Sequence, residues 1–335
     1  MIALEHTTPG FAEQAAAQAG ITLPIEQTEI WSRYQGGVPG RRPWGAYLIR
    51  RDGELVAVIS LIDYETHGYH YLRSVHGPAW KTKPTQQEEH EVVEALAEAV
   101  HGKDHKIVFL RVDTWFADGY RPVLSTVPYD QTVIVDLTGG DEQILARMKK
   151  RGRRDVRKAL RESPAVCKDE TTEAIAYFTD YYDAMVETAQ RDGFTPAPMR
   201  DYTDMLKALG PDHCRLFAAR IDGRVVAWSI VTINNDHAVY YYACARTEVR
   251  RELVPDKLLY FFCCTLGQRG CTQIDLMGIG SDFAPSLKSL NTFKTKFSEE
   301  VVPVAPARDV PIKHGFYGLL QFIQKLRKRG TRKNH

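Results

Sequence analysis

The chain has 335 residues, of which 44% are hydrophobic and 26% are charged, and its formal net charge is only +2. This composition is typical of a soluble globular protein with room for two domains, and it excludes nucleic-acid binding through a uniformly positive surface. A membrane span is not expected, because no stretch approaches the roughly 18 apolar residues that it requires.

The first third of the chain predicts a mixed α/β unit. Apolar residues at helical or alternating spacing, interrupted by glycine and proline, mark its elements. In order, they are helices over 11–19 and 26–34, strands over 44–50, 55–62 and 69–75, a helix over 88–101 and a strand over 107–113. The segment Arg51-Asp52-Gly53 is a hairpin turn between the first two strands, and the last strand ends on the carboxylate of Asp113.

The next segment combines a buried strand with an unusually basic helical region. A β-branched strand over 133–137 leads into a Gly-Gly turn, after which Asp141 is expected to cap a helix. The residues that follow are rich in cations: Arg147, Lys149, Lys150, Arg151, Arg153, Arg154, Arg157, Lys158 and Arg161. Only Asp155 and Glu162 oppose them. The pattern favours a surface for phosphate groups, with a well-solvated helix pair as the alternative.

After this segment the element order of the first third is repeated. The elements are helices over 173–189 and 202–209, strands over 215–221, 225–233 and 239–243, a helix over 256–269 and a strand over 272–277. An Asp-Gly turn, here Asp222-Gly223, again joins the first two strands. The repeat predicts two copies of one α/β unit, with a first domain over 1–131 that is completed by 311–335, and a second over 132–310.

The C-terminal segment predicts an amphipathic helix over 316–329. Its apolar side contains Phe316, Leu319, Leu320, Phe322, Ile323 and Leu326. A basic tail is formed by Lys325, Arg327, Lys328, Arg329, Arg332 and Lys333. We expect this helix to pack back on the first domain. Its basic tip offers a peripheral contact with an anionic membrane, and the two roles are compatible.

Cysteine usage and the N-terminus predict a cytoplasmic protein. The cysteines form no CxxC pair and have no histidine at zinc spacing, so no metal site is expected; they are Cys167, Cys214, Cys244, Cys263, Cys264 and Cys271. Reduced thiols suit the cytosol. Residues 1–6 have neither the charged region nor the apolar core of a signal peptide.

The order strand, Asp-Gly turn, strand, strand, helix, strand is that of the acetyltransferase-like (GNAT) fold, and its doubled form resembles the Fem family of non-ribosomal peptidyltransferases. The matching pieces occur in the family's order; they are 132–137, Met148, Arg154, 156–159, 191–194, 216–219, 222–223, 240–245, 275–279, Phe293, Lys294 and Phe297. The resemblance implies a mixed α/β (α+β) fold of tandem GNAT-like, or acyl-CoA N-acyltransferase-like, domains.

The family's activity gives the expected function. Its members take an amino acid from aminoacyl-tRNA and attach it to the side-chain amine of the stem peptide of a peptidoglycan precursor. The resemblance therefore implies a cytoplasmic aminoacyltransferase that makes the interpeptide bridge of the cell wall, with the acceptor on the first domain and aminoacyl-tRNA on the second. The acceptor is either lipid II or UDP-MurNAc-pentapeptide, and aminoacyl-tRNA is a co-substrate, with no further cofactor.

Two catalytic residues follow from the resemblance. Lys294 matches a family lysine placed for the oxyanion and the tRNA end; the alternative is a surface lysine in a cluster with Lys288 and Lys296. Asp113 matches a family aspartate suspected of taking a proton from the attacking amine, whose free pKa is roughly 10. For Asp113 the alternative is a capping carboxylate.

The acceptor-binding candidates come from both predicted domains; they are Trp31, Arg33, Tyr34, Thr195, Arg200, Tyr202, Arg215 and Tyr242. The chain departs from the family pattern in two places. Arg33 and Gln35 occupy the region of a lysine that grips the acceptor's diphosphate, and Ala197 replaces an arginine with the same task. Lipid-linked and nucleotide-linked acceptors therefore both remain open.

The tyrosine-rich strand gives a further expectation, and the loop after it concerns the donor. Alternation is expected to send Tyr240 and Tyr242 to one face of the sheet and Tyr241 to the other. Ordinary GNAT enzymes hold coenzyme A on a glycine-rich loop at a helix N-terminus. The equivalent segment here, residues 246–255, contains no glycine. This weakens a coenzyme A hypothesis, because a pyrophosphate could not approach the backbone closely.

The basic helical region is the expected tRNA surface. An acceptor stem is an A-form helix that proteins recognise by charge and shape, and the residues expected to contact it are Lys149, Lys150, Arg153, Arg154 and Arg157. Three alternatives remain. They are an aminoacyl-tRNA-dependent ligase that makes a small amide natural product, a coenzyme A-dependent N-acyltransferase, and a non-enzymatic RNA- or membrane-binding adaptor.

Overall fold

A computed structural model of the chain describes residues 1–124 and 127–331. Its strands are β1 (Ile2–Thr7), β2 (Arg41–Arg51), β3 (Glu54–Thr66), β4 (Tyr69–Arg73), β5 (Ala79–Trp80), β6 (Ile107–Asp113), β7 (Arg121–Pro122), β8 (Gln131–Asp136), β9 (Val166–Asp169), β10 (Cys214–Ile221), β11 (Arg224–Asn234), β12 (His237–Ala245), β13 (Gln273–Asp275), β14 (Val301–Pro303) and β15 (Ala307–Pro311). Its α-helices are α1 (Pro9–Gln18), α2 (Glu29–Gly36), α3 (Gln86–Lys103), α4 (Asp141–Arg147), α5 (Lys150–Glu162), α6 (Thr171–Ala176), α7 (Thr179–Asp192), α8 (Met199–His213), α9 (Val254–Gln268), α10 (Lys288–Lys294) and α11 (His314–Thr331). No helix in the described part of the chain is long and apolar enough to cross a membrane.

The elements form two compact units, each with its own sheet. Unit 1 contains Met1–Tyr129 and Val304–His335, and unit 2 contains Asp130–Pro303. The strand order is β1-β2-β3-β4-β6-β15-β7 in unit 1, where β5 also pairs with β3, and β14-β8-β13-β12-β11-β10-β9 in unit 2. The last strand and the last helix of the chain therefore belong to unit 1.

Both predicted hairpin turns are confirmed. Asp52 and Gly53 join β2 to β3, and Asp222 and Gly223 join β10 to β11. All four residues have positive φ angles, between 49° and 89°. Two-residue hairpin turns of the primed types need this left-handed backbone, which asparagine, aspartate and glycine adopt most readily.

Two local predictions are wrong. The helix expected over 173–189 is two helices, α6 and α7, because the backbone is extended at Tyr177, just before Phe178 begins the next helix as its N-cap. This break lets Phe178 turn into the core and stack on Tyr202 at 5.6 Å.

Helix α4 is capped by Gly140 and not by Asp141. The carboxylate of Asp141 lies in the first turn, where it favours the positive end of the helix dipole.

A buried ion pair ties the end of the chain into unit 1. Strand β15 lies between β6 and β7 and brings Asp309 against Arg111. The Arg111 guanidinium donates to the two carboxylate oxygens of Asp309 at 2.6 and 2.9 Å, and both side chains are buried. The hydroxyl of Tyr317 in α11 donates to the same carboxylate at 2.9 Å. Paired hydrogen bonds of this kind offset the cost of burying both charges.

Gly152 fixes how closely helix α5 packs in unit 2. The buried side chains Val156 and Ala159 lie on the same face of α5, towards α9. At Gly152 the helix passes so near the chain after α10 that a Cβ atom would lie 2.2 Å from the carbonyl oxygen of Lys296. Only glycine fits this contact without a shift of the backbone.

Replacing Gly152 with alanine should therefore destabilise the protein by about 1–3 kcal/mol, the usual effect of overpacking. Gly102→Ala is the matched control, because it also lies in a helix and an added Cβ would meet nothing within 4 Å. Alanine there should be neutral or stabilising by up to about 1 kcal/mol. Urea unfolding followed by circular dichroism measures both variants. Equal free energies of unfolding for the two would contradict this account.

Candidate functional site

Lys294 lies at the C-terminal end of α10 and is buried, with only 8% of its surface exposed. Its ammonium group donates to the backbone carbonyls of Met277 and Gly278 at 3.2 and 2.8 Å. Burial lowers the pKa of Lys294 to about 8, against an opposing effect of Asp275. The surface-lysine alternative is therefore wrong for this residue.

The neighbouring lysines have different environments. Lys288 is exposed and lies 3.3 Å from the exposed carboxylate of Asp282. Lys296 is buried and forms ion pairs with Asp155, at 3.6 Å, and with Asp256. Lys296 therefore connects α5 to α9, whereas Lys294 contacts the segment that follows β13.

A gap between two strands of unit 2 lies beside this segment. Strand β12 pairs in parallel with β13 only over three residues, from His237 to Val239. Beyond them β12 continues to Ala245, whereas the chain after β13 stays beside β8 and turns at Met277, whose φ is +60°. The carbonyls that hold Lys294 thus belong to the segment that borders the gap.

A β-bulge in β12 reverses the predicted orientation of the tyrosines. Ile230 of β11 lies opposite Tyr242 and the next residue opposite Tyr240, so Tyr241 is the extra residue. Tyr240 stacks on Phe262 of α9 at 5.7 Å, whereas Tyr242 packs on α8. The expectation that Tyr240 and Tyr242 share a face is wrong, because one inserted residue shifts the alternation.

The structure brings together two of the predicted acceptor-binding residues of unit 2. The rings of Tyr202 and Tyr242 are 5.0 Å apart. Tyr202 is only 2% exposed and also packs on Trp228. In this conformation it supports Tyr242 from the core and does not itself face solvent, which corrects the expectation of a direct contact with the acceptor.

Arg215 is not part of this group. It lies opposite Val231, on the sheet face that packs against α9, whereas Tyr242 lies on the other face. Its guanidinium donates to Asp169 at 2.6 Å. Thr195 and Arg200 are exposed in and after the loop that joins α7 to α8. We therefore keep Thr195 and Arg200 as candidates for the α8 face and assign Arg215 to the pairing of β9 with β10.

Helix α2 of unit 1 carries the other three acceptor-binding candidates. Trp31 and Tyr34 are buried, with ring centroids 5.3 Å apart. Arg33 is exposed and lies 3.9 Å from Glu29 one turn earlier. Of the three, only Arg33 presents its side chain to solvent, so the two aromatic residues act as the base that positions this helix.

Asp113 ends β6 next to a loop that contains His76. Its carboxylate accepts a hydrogen bond from the backbone N–H of His76 at 3.1 Å, and its own N–H donates to the carbonyl of Gly77 at 2.9 Å. Burial raises the pKa of Asp113 to about 6, although His76 and Arg73 favour the charged form. Asp113 can thus exchange a proton near neutral pH, as a base must. It also accepts a hydrogen bond from a backbone amide, as a capping carboxylate does.

His76 extends this cluster in a way that the sequence did not indicate. Its Nδ1 lies 3.3 Å from a carboxylate oxygen of the buried Glu26, and its Nε2 lies 3.2 Å from the hydroxyl of Tyr129. Glu26, His76 and Tyr129 and the fourth member, Asp113, come from separate parts of the chain, so no spacing pattern could have revealed the cluster. Together they form a hydrogen-bonded titratable cluster in unit 1.

Comparison with known proteins identifies the fold. Residues 146–284 match the acetyltransferase (GNAT) domain family. The structure of FemX is similar over 95% of this chain and 99% of that one, with a TM-score of 0.72 and 14% identity. The C-terminal domain of a putative lysylphosphatidylglycerol synthetase from Agrobacterium fabrum is similar with a TM-score of 0.55 and 12% identity, over 95% of this chain and 97% of that one. A tandem GNAT protein of clavulanic acid biosynthesis is similar with a TM-score of 0.53 and 11% identity, over 92% of this chain and 97% of that one. No curated protein matches the sequence.

The fold is that of tandem GNAT-like units. The fold class predicted from the sequence is confirmed, and the similarity to FemX agrees with the resemblance to the Fem family. Unit 2 is the one that the GNAT family matches for most of its length. At these identities the likeness to solved structures concerns the fold.

In GNAT-like unit 2, hydrogen-bond donors of the loop between β12 and α9 bind groups of the protein itself. The backbone N–H of Thr247 donates to one carboxylate oxygen of Glu187 at 2.9 Å, and the side chain of Arg246 donates to the other at 2.7 Å. The N–H of Arg246 donates to the carbonyl of Val226. An internal carboxylate thus already accepts two of the hydrogen bonds that this loop can donate.

The basic region forms a groove on the surface of the same unit. Its volume is about 770 Å³, and it is lined by Lys150, Arg151, Arg153, Arg154, Arg157, Lys158 and Arg161. Not every predicted tRNA contact is equally available. Arg153 donates to the carbonyls of Ala146 and Met148 at the end of α4, and Lys149 is half-buried. Arg154 pairs with Asp155 at 2.8 Å but stays exposed, as do Lys150 and Arg157.

The described parts of the chain contain no cluster of side chains suited to binding a metal ion. Within residues 1–124 and 127–331, no three histidine, cysteine, aspartate or glutamate side chains are grouped to hold an ion. The cysteines are free thiols, and all but the half-buried Cys167 are buried. Burial raises the thiol pKa of Cys167 to about 11 and that of Cys264 to about 12, so neither is an activated nucleophile.

Proposed function

We propose that the protein is an aminoacyltransferase that moves an amino acid from aminoacyl-tRNA to the side-chain amine of the stem peptide of a peptidoglycan precursor, making the interpeptide bridge. The observation that carries this proposal is Lys294, a buried ammonium held on two carbonyls beside the β12–β13 gap. The similarity of the whole chain to FemX supports the choice of fold for such a reaction.

The protein needs only to position the substrates, stabilise the oxyanion and accept a proton, because the tRNA ester is already activated. The acceptor nitrogen attacks the ester carbonyl, a C–N bond forms, and the C–O bond to the tRNA ribose breaks. Two carbonyls take two of the three donors of Lys294, and the third stabilises the oxyanion of the intermediate. The proton that the amine loses passes to a base, for which the resemblance to the Fem family offers Asp113, and the released ribose oxygen gains a proton in turn.

The donor is better matched by tRNA than by coenzyme A. In the loop after β12, Glu187 occupies the amide of Thr247 and would repel a pyrophosphate. The groove along α5 would instead attract phosphates, because a row of cations lines it on an ordered helix. Such a row suits the phosphates of an A-form stem, which proteins read by charge and shape.

The acceptor-binding candidates that this proposal keeps are Arg33 of α2 in unit 1 and, in unit 2, Tyr242 with the exposed Thr195 and Arg200. Since Arg33 stands where the Fem family has a lysine, both the lipid-linked and the nucleotide-linked precursor are candidates. A small-molecule amine is the second candidate acceptor, favoured by Ala197 in place of the family's arginine. Because aminoacyl-tRNA is a cytoplasmic molecule, the reaction takes place in the cytoplasm.

The direct test supplies the purified protein with tRNA charged with single labelled amino acids and with either lipid II or UDP-MurNAc-pentapeptide. Transfer of label to the stem peptide, seen by mass spectrometry at its side-chain amine, supports the proposal. A parallel reaction replaces the charged tRNA with acetyl-coenzyme A. Acetylation in that reaction, without transfer from tRNA, would overturn the proposal in favour of an ordinary N-acetyltransferase.

Charge reversal on α5 tests the tRNA surface. The double variant Lys150→Glu/Arg157→Glu should raise the KM for aminoacyl-tRNA at least about tenfold at low salt, because two phosphate contacts are replaced by repulsion. The difference should shrink as salt rises. The control, Lys81→Glu/Lys106→Glu, makes the same charge change at exposed positions of unit 1. An unchanged KM for the α5 variant, or an equal rise in the control, would remove α5 from the tRNA surface.

A further inference from the structure

Helix α11 has two apolar sides, of which only one is covered. Tyr317 is buried and packs edge-to-face on Phe109 at 5.3 Å, in a cluster with Tyr71 and Val108. Leu320 packs against the same cluster. These contacts dock α11 on unit 1, and this part of the expectation from the sequence is confirmed.

The second side carries large apolar side chains that face solvent. Their exposed fractions are 42% for Phe316, 51% for Leu319, 58% for Phe322, 38% for Ile323 and 50% for Leu326. At 100° per residue these positions fall within about 120° of the helix circumference. Exposed apolar residues elsewhere in the described chain are spread over several elements, which is normal. A continuous stripe on one helix marks an interaction surface.

Charge identifies the kind of surface that this stripe contacts. Residues 310–335 contain seven lysine or arginine residues and no aspartate or glutamate, although the whole chain has a net charge of only +2. Lys325 is exposed on α11 itself. In the predicted basic tail, Arg332 and Lys333 lie outside the described residues. A second copy of the chain is a poor partner, because two such segments would repel each other.

We propose that α11 lies in the surface of an anionic lipid bilayer, with Leu319, Phe322 and Leu326 inserted at the boundary of the acyl chains. The basic residues in the sequence of this segment are attracted by the lipid phosphates. An exposed apolar stripe beside a concentration of cations is the combination that interfacial helices use. The sequence predicted both the basic tip and the apolar side; the structure adds that five of the six apolar residues named there are exposed to solvent.

The test uses the full-length protein and large unilamellar vesicles, either of phosphatidylcholine alone or with 30% phosphatidylglycerol added. Co-sedimentation should show binding to the anionic vesicles, much weaker binding to the neutral ones, and partial release at high salt. The measurement needs neither tRNA nor acceptor. Its result is therefore independent of whether the proposed aminoacyl transfer is correct.

The decisive variant is Phe322→Ser/Leu326→Ser. It removes exposed apolar surface without touching the docked side, so binding to anionic vesicles should fall at least about tenfold. The control, Phe11→Ser/Val166→Ser, removes similarly exposed side chains from α1 and β9 and should bind like the wild type. Thermal unfolding checks that both variants are folded. Wild-type binding by the α11 variant would overturn the proposal.

Two further outcomes would also overturn it. Equal binding to neutral and anionic vesicles would show that the cations have no part in the contact. A dimer in sedimentation velocity that the α11 variant converts to monomer, with no vesicle binding by either, would assign the stripe to a second copy of the chain.

Discussion

Replacing Lys294 with methionine is expected to lower kcat for aminoacyl transfer by about two to three orders of magnitude, the usual loss when one oxyanion donor is removed. Methionine keeps the length and apolar stem of the side chain, so the fold should be preserved. Because burial lowers the pKa of Lys294 to about 8, the ammonium form is lost as pH rises past 8. Wild-type activity should therefore fall on the alkaline side.

Single-turnover transfer from preformed aminoacyl-tRNA measures this effect without interference from product release. The matched control is Lys288→Met, on the same short helix, where the lysine is exposed and pairs only with an exposed carboxylate. The control should keep near wild-type kcat. Loss of activity in both variants would point to α10 as a packing element, and full activity in Lys294→Met would end the proposed role of this lysine.

Asp113→Asn is expected to reduce kcat by about two to four orders of magnitude, the range found for a general base. Burial raises the pKa of Asp113 to about 6, so the wild-type rate should fall as pH drops through 6 and the carboxylate becomes protonated. In the variant the rate that remains should lose this acid limb. A pH profile of kcat from 5 to 9 measures both limbs, and the alkaline limb assigned to Lys294 should persist.

Stability separates this role from a purely structural one. Asparagine can still accept the hydrogen bond from the N–H of His76, and it removes a buried charge whose raised pKa shows that the folded state disfavours it above about pH 6. The free energy of unfolding at pH 8 should therefore stay constant or increase. Glu98→Gln, an exposed change on α3, is the control. A strongly destabilised Asp113→Asn with an unchanged acid limb would leave Asp113 a capping group only.

The parts of the fold that follow from local pattern were predictable. Strand β6 begins at Ile107 and ends at Asp113, as expected, because its short apolar run, which includes Ile107 and Val108, has no competing helical pattern. Strand β1 was missed, since it lies at an edge and its burial pattern is weak. The bulge at Tyr241 could not be predicted, because one strand's own sequence does not say where its partner skips a residue.

The site shows the same limit at longer range. Lys294 was found through resemblance to a family, but the burial that lowers its pKa depends on packing against another segment, whose carbonyls it contacts. The cluster of Glu26, His76 and Asp113 joins residues up to 87 positions apart, and of the three only Asp113, at the end of its strand, was singled out from the sequence. Such groupings arise from tertiary packing, which cannot be predicted from the local periodicity of the sequence.

The split of unit 1 along the chain has a consequence for its synthesis. All of unit 2 leaves the ribosome before residue 304, so its sheet can close while the nascent chain is still growing. Unit 1 must wait, because the carboxylate of Asp309, which pairs with the buried Arg111, is translated only near the end. The insertion in the middle is thus free to finish first, and the segment that begins the chain is among the last to be completed.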